Sequence, residues 1–186
     1  MEKKILAVLF MCFLLVFFMS SASAGFWDFF KKIFGFDGKI SIDDCGEFSY
    51  TAPVAVTASS STLPGYPPEN AIDGKTGMPW LGINDNKYPK WIYFDLGEEK
   101  CVNEVSIAMF PTHTPLKMDI QTSNNPEEIW ENVVSDWDYD TEHQSNFHKQ
   151  AFDVVKARYV RVYQTEGTSP FGSIGEIRIT AADYLS

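Results

Sequence analysis

Positive charge is scarce in this chain of 186 residues, with 15 lysines and arginines against 25 acidic residues and a net charge of −10. Such a balance repels phosphate backbones and anionic headgroups, so nucleic acid is excluded as an expected partner. Cysteine is nearly absent. Of the three present, Cys12 sits inside an apolar run and only Cys45 and Cys101 lie beyond it. Histidine is equally sparse, and His143 and His148 are five residues apart, a spacing that suits no helix face well. No nucleophile elbow, zinc-protease helix or phosphate-cradling glycine loop occurs, and no two carboxylates stand out as a glycosidase pair. The expectation is therefore a protein that is not an enzyme.

Long apolar runs are also missing after the first residues. Lys3 and Lys4, the apolar residues 5–19 and then Ala22, Ser23 and Ala24 read as a secretory signal over residues 1–24. That run is too short to cross about 30 Å of hydrocarbon. The expected location is secreted or on the extracellular surface. Export would make a disulfide between Cys45 and Cys101 chemically available, although sequence does not show that their Cα atoms approach.

Residues 25–43 form a second region. Phe26, Trp27, Phe29, Phe30, Ile33 and Phe34 recur at helical spacing, with Asp28, Lys31 and Lys32 between them. This pattern suits a short amphipathic helix that contacts a membrane surface through residues 26–36, or that docks on protein.

From residue 44 to 183 the texture changes to short strands. Residues 91–96 are aromatic and β-branched. Val105 and Ile107, Met118 and Ile120, Val160 and Val162, and Ile177 and Ile179 each alternate with polar or aromatic neighbours. Period-two alternation between Pro, Gly and Asn punctuation specifies half-buried antiparallel strands. Many such strands without helical periods imply an all-β sandwich whose functional loops gather at its ends. Asp136, Asp138 and Asp140 imitate the start of an EF-hand loop. Thr141 stands where that loop needs Gly, and Phe147 where it needs Glu, so the acids belong to a strand or hairpin facing water.

Five strings then matter together: Tyr66 to Gly74 (YPPENAIDG) with Trp80, Pro89-Lys90-Trp91-Ile92, Asp95-Leu96-Gly97, Ala157 to Val162 (ARYVRV), and Ser173-Ile174-Gly175-Glu176-Ile177. In this order they resemble the discoidin domain, also called the coagulation-factor-type C domain, and equally the family 32 carbohydrate-binding modules. The resemblance runs from about Ser59 to Thr180. It implies a jelly-roll β-sandwich of about eight antiparallel strands, of the galactose-binding type, holding ligand in loops at one end.

The resemblance also implies a structural calcium site from Ala71, Asp73, Lys75 and Glu176, the turn giving main-chain oxygens and the two acids their carboxylates. Met78 departs from the hydroxyl residue usual there, and a thioether is a poor calcium ligand. For sugar, Phe171 corresponds to a stacking ring and His113 lies where relatives carry an Arg. Asn84, Asp85, Asn86 and Tyr88 are candidates to line the same mouth. Trp80 and Trp91 are assigned to the core. The partner so implied is carbohydrate, an oligosaccharide or polysaccharide, with a cell-surface protein as the alternative for an adhesion module.

Overall fold

The computed structural model describes residues 40–185, apart from 60, 61, 83, 84, 86, 111, 112, 114, 140–145 and 168. The expected signal and the amphipathic segment lie outside these residues. Ile40–Ser186 forms one compact unit.

Nine strands follow in order: β1 (Ser49–Thr51), β2 (Ala55–Ala58), β3 (Trp80–Leu81), β4 (Lys90–Ala108), β5 (Pro115–Ser123), β6 (Glu131–Asp138), β7 (His148–Gly167), β8 (Ser173–Ile174) and β9 (Glu176–Ala182). All pairings are antiparallel. The main sheet runs β1-β9-β4-β7-β5-β6, with β2 on β4, and β3 pairs β8 separately.

Two long strands organise the molecule. β4 and β7 pair from Lys90 and Gln164 down to Asp95 and Tyr159, lose register, and resume at Lys100 and Ala157. The break falls at Asp95-Leu96-Gly97, where Gly97 takes φ 87° and its N–H donates to the Asp95 carboxylate at 2.7 Å. A side chain at that φ would be strained, so glycine is required. Both strands bend here and pass from one layer of the sandwich into the other. The first layer carries β2, β5 and β6, the second β1 and β9.

Alternation decides which side chains meet between the layers. In β4, Lys90, Ile92, Phe94 and Leu96 are buried while Trp91, Tyr93 and Asp95 are partly exposed. In β7, Val160, Val162 and Gln164 are buried against partly exposed Tyr159, Arg161 and Tyr163. Ile107, Ile177 and Ile179 face them from the second layer, and Trp80 and Met118 share the same core. Each such burial is worth about 1.5–3 kcal/mol. Trp80 is core as expected; Trp91 is not. It shares the parity of Tyr93 rather than of Ile92, so its ring stands on the outer face.

Cys45 and Cys101 are joined by a disulfide with Cα atoms 6.1 Å apart. Ile40, Phe48 and Ala182 pack around it. Asp136 and Asp138 lie exposed in β6. Among the described residues no helix is long and apolar enough to cross a membrane.

Candidate functional site

Because β4 folds over at residues 96–99, Lys90 and Ala108 return to the same end of the sandwich. Three connections gather at this rim: the approach to β4, the β4–β5 loop, and residues 167–172 before β8. The residue types there are turn formers and rings rather than alternating apolar residues, so no strand continues through them.

Phe171 and His113 come together at the rim. Their ring centroids are 4.8 Å apart with planes at 57°, and Phe110 lies 6.0 Å beyond His113. Both residues are half-buried. His113 Nδ1 and Ser169 Oγ are 3.1 Å apart, and the same hydroxyl accepts the Phe171 N–H at 3.2 Å. Nε2 of His113 has no protein partner among the described residues. The result is a corner of two rings fixed by one buried serine.

Tyr88 and Asp85 lie at the same rim, with different duties. The Tyr88 hydroxyl donates to the carbonyls of Ser169 (2.9 Å) and Phe171 (3.3 Å), so its ring props the loop that carries Phe171. A Cβ on Gly167 would collide with that phenol, which explains the glycine. Asp85 accepts from the Lys87 N–H and pairs with Lys90 Nζ. The Lys90 bond, then the Lys87 amide, holds its carboxyl below the usual range. Asn84 and Asn86 lie outside the described residues.

Three supporting residues escaped sequence reasoning. Lys90 is 3% exposed, and its ammonium sits 5.7 Å from the Tyr88 ring centre. Its signal was legible: it has the inward parity of Ile92, Phe94 and Leu96, and a charge in that register needs a partner. Gln164, fully buried, donates to the Ser173 carbonyl at 2.7 Å and accepts its N–H at 3.3 Å. Gly172 lets the loop lie directly on Lys90, since a Cβ there would come within 2.9 Å of the lysine side chain.

The second constellation lies where the turn after Pro68–Ile72 meets β9. The Gly74 N–H donates to Glu176 Oε2 at 3.1 Å, and the Lys75 N–H to Asp73 Oδ1 at 2.8 Å. Glu176 is 3% exposed. Burial pushes its carboxyl up to about 7; the Gly74 amide opposes this and the Asp73 charge adds to it. Lys75 extends into solvent, its ammonium 3.6 Å from Asp73, and Ala71 is buried. No three acidic, His or Cys side chains converge among the described residues. A hard cation held here would thus combine two carboxylates with main-chain oxygens, a donor set that suits calcium.

A cavity of 620 Å³ lined by Thr122, Asn124, Glu128, Ile129 and Lys156 opens at the other end of β5. It offers no ring and several acids, so the chemistry of the rim is the better match to a neutral ligand with flat apolar faces.

A β-sandwich with ligand-type loops collected at one rim defines a binding module of the galactose-binding type. More narrowly, the chain belongs to the F5/8 type C domain family, whose model matches residues 55–177. No curated protein matches the chain. Among solved structures it is similar to the family 32 carbohydrate-binding module of AlyQ in complex with 4,5-unsaturated mannuronic acid, at 29% identity over 70% of this chain and 97% of that one, TM-score 0.61. It is similar also to chitosan-binding module 2 of a chitosanase/glucanase from Paenibacillus sp. IK-5, in complex with chitotriose, at 25% identity over 69% and 97%, TM-score 0.60. The family 32 module of C. perfringens NanJ, in complex with galactose, shares the fold at 20% identity over 72% and 99%, TM-score 0.59.

Proposed function

We propose that the chain is a carbohydrate-binding module, not an enzyme, and that its rim holds the sugar. The observation that carries this reading is the Phe171–His113 corner, 4.8 Å between ring centres, on a loop locked by Tyr88, Ser169 and Lys90. A pyranose lays its C–H face on the phenyl ring while imidazole Nε2 bonds a hydroxyl. Similarity to modules in complex with 4,5-unsaturated mannuronic acid and with chitotriose supports the class of ligand.

Isothermal titration of the parent and Phe171→Ala with galactose, chitotriose and alginate oligosaccharides tests it. Truncating the ring weakens the preferred sugar by about tenfold or more, with the melting temperature unchanged. Equal affinity in both proteins overturns the rim assignment, and protein binding that survives excess free sugar would favour an adhesion role instead.

The same reading includes a structural calcium ion held by the Asp73 and Glu176 carboxylates and main-chain oxygens of Ala71 and Lys75, neutralising the buried acid. Added calcium then raises the melting temperature of the parent, and Glu176→Gln abolishes that increment. It also includes export, with residues 26–36 contacting a membrane surface. Vesicle flotation of the parent and of Trp27→Asp tests that contact, and equal flotation of both would remove it.

A further inference from the structure

The outer face of the first layer carries chemistry that the rim does not use. Antiparallel register places Trp91 opposite Tyr163, Tyr93 opposite Arg161, and Asp95 opposite Tyr159. These are the outward partners of the buried Ile92, Phe94, Val160 and Val162. Trp130, from the β5–β6 connection, turns back over the same face, anchored by its indole N–H to the Pro126 carbonyl at 3.3 Å. Trp91 and Tyr93 are nearly parallel at 5.8 Å, and Tyr93 meets Trp130 at 5.6 Å and Tyr159 edge-on at 5.9 Å. All five rings are half-buried, so each keeps surface open to water.

Arg161 lies at the centre. Its guanidinium sits 4.1 Å from the Trp130 ring centre, 5.2 Å from Tyr163 and 5.8 Å from Trp91. Its one hydrogen bond among the described residues runs from Nε to Gln121 Oε1 at 2.6 Å, which leaves both terminal amino groups without a partner. Among the described residues no carboxylate pairs with it. Asp95 is taken by Arg158 in a two-bond pair at 2.8 Å each, and Asp119 accepts from Asn132 and the Asp136 N–H. In a chain of net charge −10, a half-buried guanidinium that meets only rings and an amide is out of keeping with its surroundings. Burial lowers its proton affinity, the direction expected of a cation lacking an anion.

From this juxtaposition we infer a second ligand site on the sheet face, taking an acidic polysaccharide, with a uronate carboxylate on the free edge of Arg161 and sugar C–H faces on the surrounding rings. A guanidinium presents a planar fork that matches a carboxylate with two parallel hydrogen bonds, and the rings exclude water from that pair. Uronate is chosen over sulfate ester because a planar carboxylate can lie in the plane of the guanidinium edge beside the rings. The phenol hydroxyls of Tyr93, Tyr159 and Tyr163 make no hydrogen bond among the described residues, and so remain to read sugar hydroxyls. This site is independent of the rim: it uses none of its residues.

Affinity electrophoresis of the full chain through gels holding alginate, polygalacturonate, dextran sulfate or neutral dextran tests the assignment. The parent is retarded by the two uronate polymers. Arg161→Gln, which keeps a partner for Gln121, weakens that retardation by about tenfold, and Tyr93→Ala weakens it independently of charge. Phe171→Ala keeps retardation by at least one uronate polymer, which separates this site from the rim. Retardation unchanged in Arg161→Gln and Tyr93→Ala, uronate binding wholly lost in Phe171→Ala, or stronger Arg161-dependent retardation by dextran sulfate would each overturn it. An unretarded parent would overturn it too. Should Arg161→Gln fail to fold, Arg161→Lys keeps the charge without the fork and is expected to lose most of the retardation.

Discussion

The rim and the outer sheet face are two surfaces of one domain built by opposite means. At the rim, irregular backbone is held by side chains: Tyr88 reaches two carbonyls, Ser169 ties His113 to Phe171, and Gln164 clamps Ser173. On the sheet face the backbone ladder fixes every ring but Trp130, and those rings stand where strand parity puts them. A rim can therefore be recut by a change of loop without touching the core. The face cannot, because a slip of one residue exchanges Trp91 and Tyr93 for Ile92 and Phe94.

Four substitutions sharpen this contrast. The largest effect is expected from neighbours in β4. Phe94→Ala leaves a cavity between the layers and costs about 3–5 kcal/mol, whereas Tyr93→Ala, pointing the other way, costs less than about 1.5 kcal/mol. Similar losses in urea denaturation would mean that the inner and outer faces are not separate. Next, Tyr88→Phe removes one hydroxyl and costs about 1 kcal/mol. Its signature is faster amide exchange confined to residues 169–172; protection lost across β4 and β7 would show that the rim is not an independent layer.

The smallest effect belongs to the ion pair between Asp95 and Arg158, which ties β4 to β7 on the outer face. Arg158 holds the Asp95 carboxyl below its ordinary value, with the Gly97 amide adding to this and partial burial opposing it. A depressed carboxyl stabilises the fold above the unfolded value, about 4, and that contribution disappears as the pH falls through the folded one. Arg158→Ala should flatten this acid limb by slightly lowering stability at neutral pH, while stability below the folded value stays unchanged. A limb as steep as the parent's would place the proton-linked group elsewhere.

How much of this was visible beforehand varies with the physics involved. The strands were legible because their cores alternate, and parity alone placed Ile92 and Val162 inside. Trp91 misled because a large aromatic ring suggests burial by type, while its position in the alternation said otherwise. Resemblance pointed to Phe171, His113, Asp73 and Glu176. It could not show that Tyr88 spends its hydroxyl on the loop backbone, since that depends on loops meeting across more than eighty residues of chain, nor that Asp85, only five residues away, answers a buried Lys90. The Arg161 enclosure was half legible. Its strand neighbours followed from period two, but Trp130 joins only because the β5–β6 connection turns back over the sheet.

The staple between Cys45 and Cys101 sits by the bend of β4, about six residues of strand and some 20 Å from Lys90. Tyr184 bridges Cys45 there as well, so the domain's opening and closing residues leave from the pole that carries neither ring corner nor arginine enclosure. A reporter or catalytic partner spliced after Leu185 would thus hang from the blunt pole, with both proposed recognition surfaces left open to a large polymer.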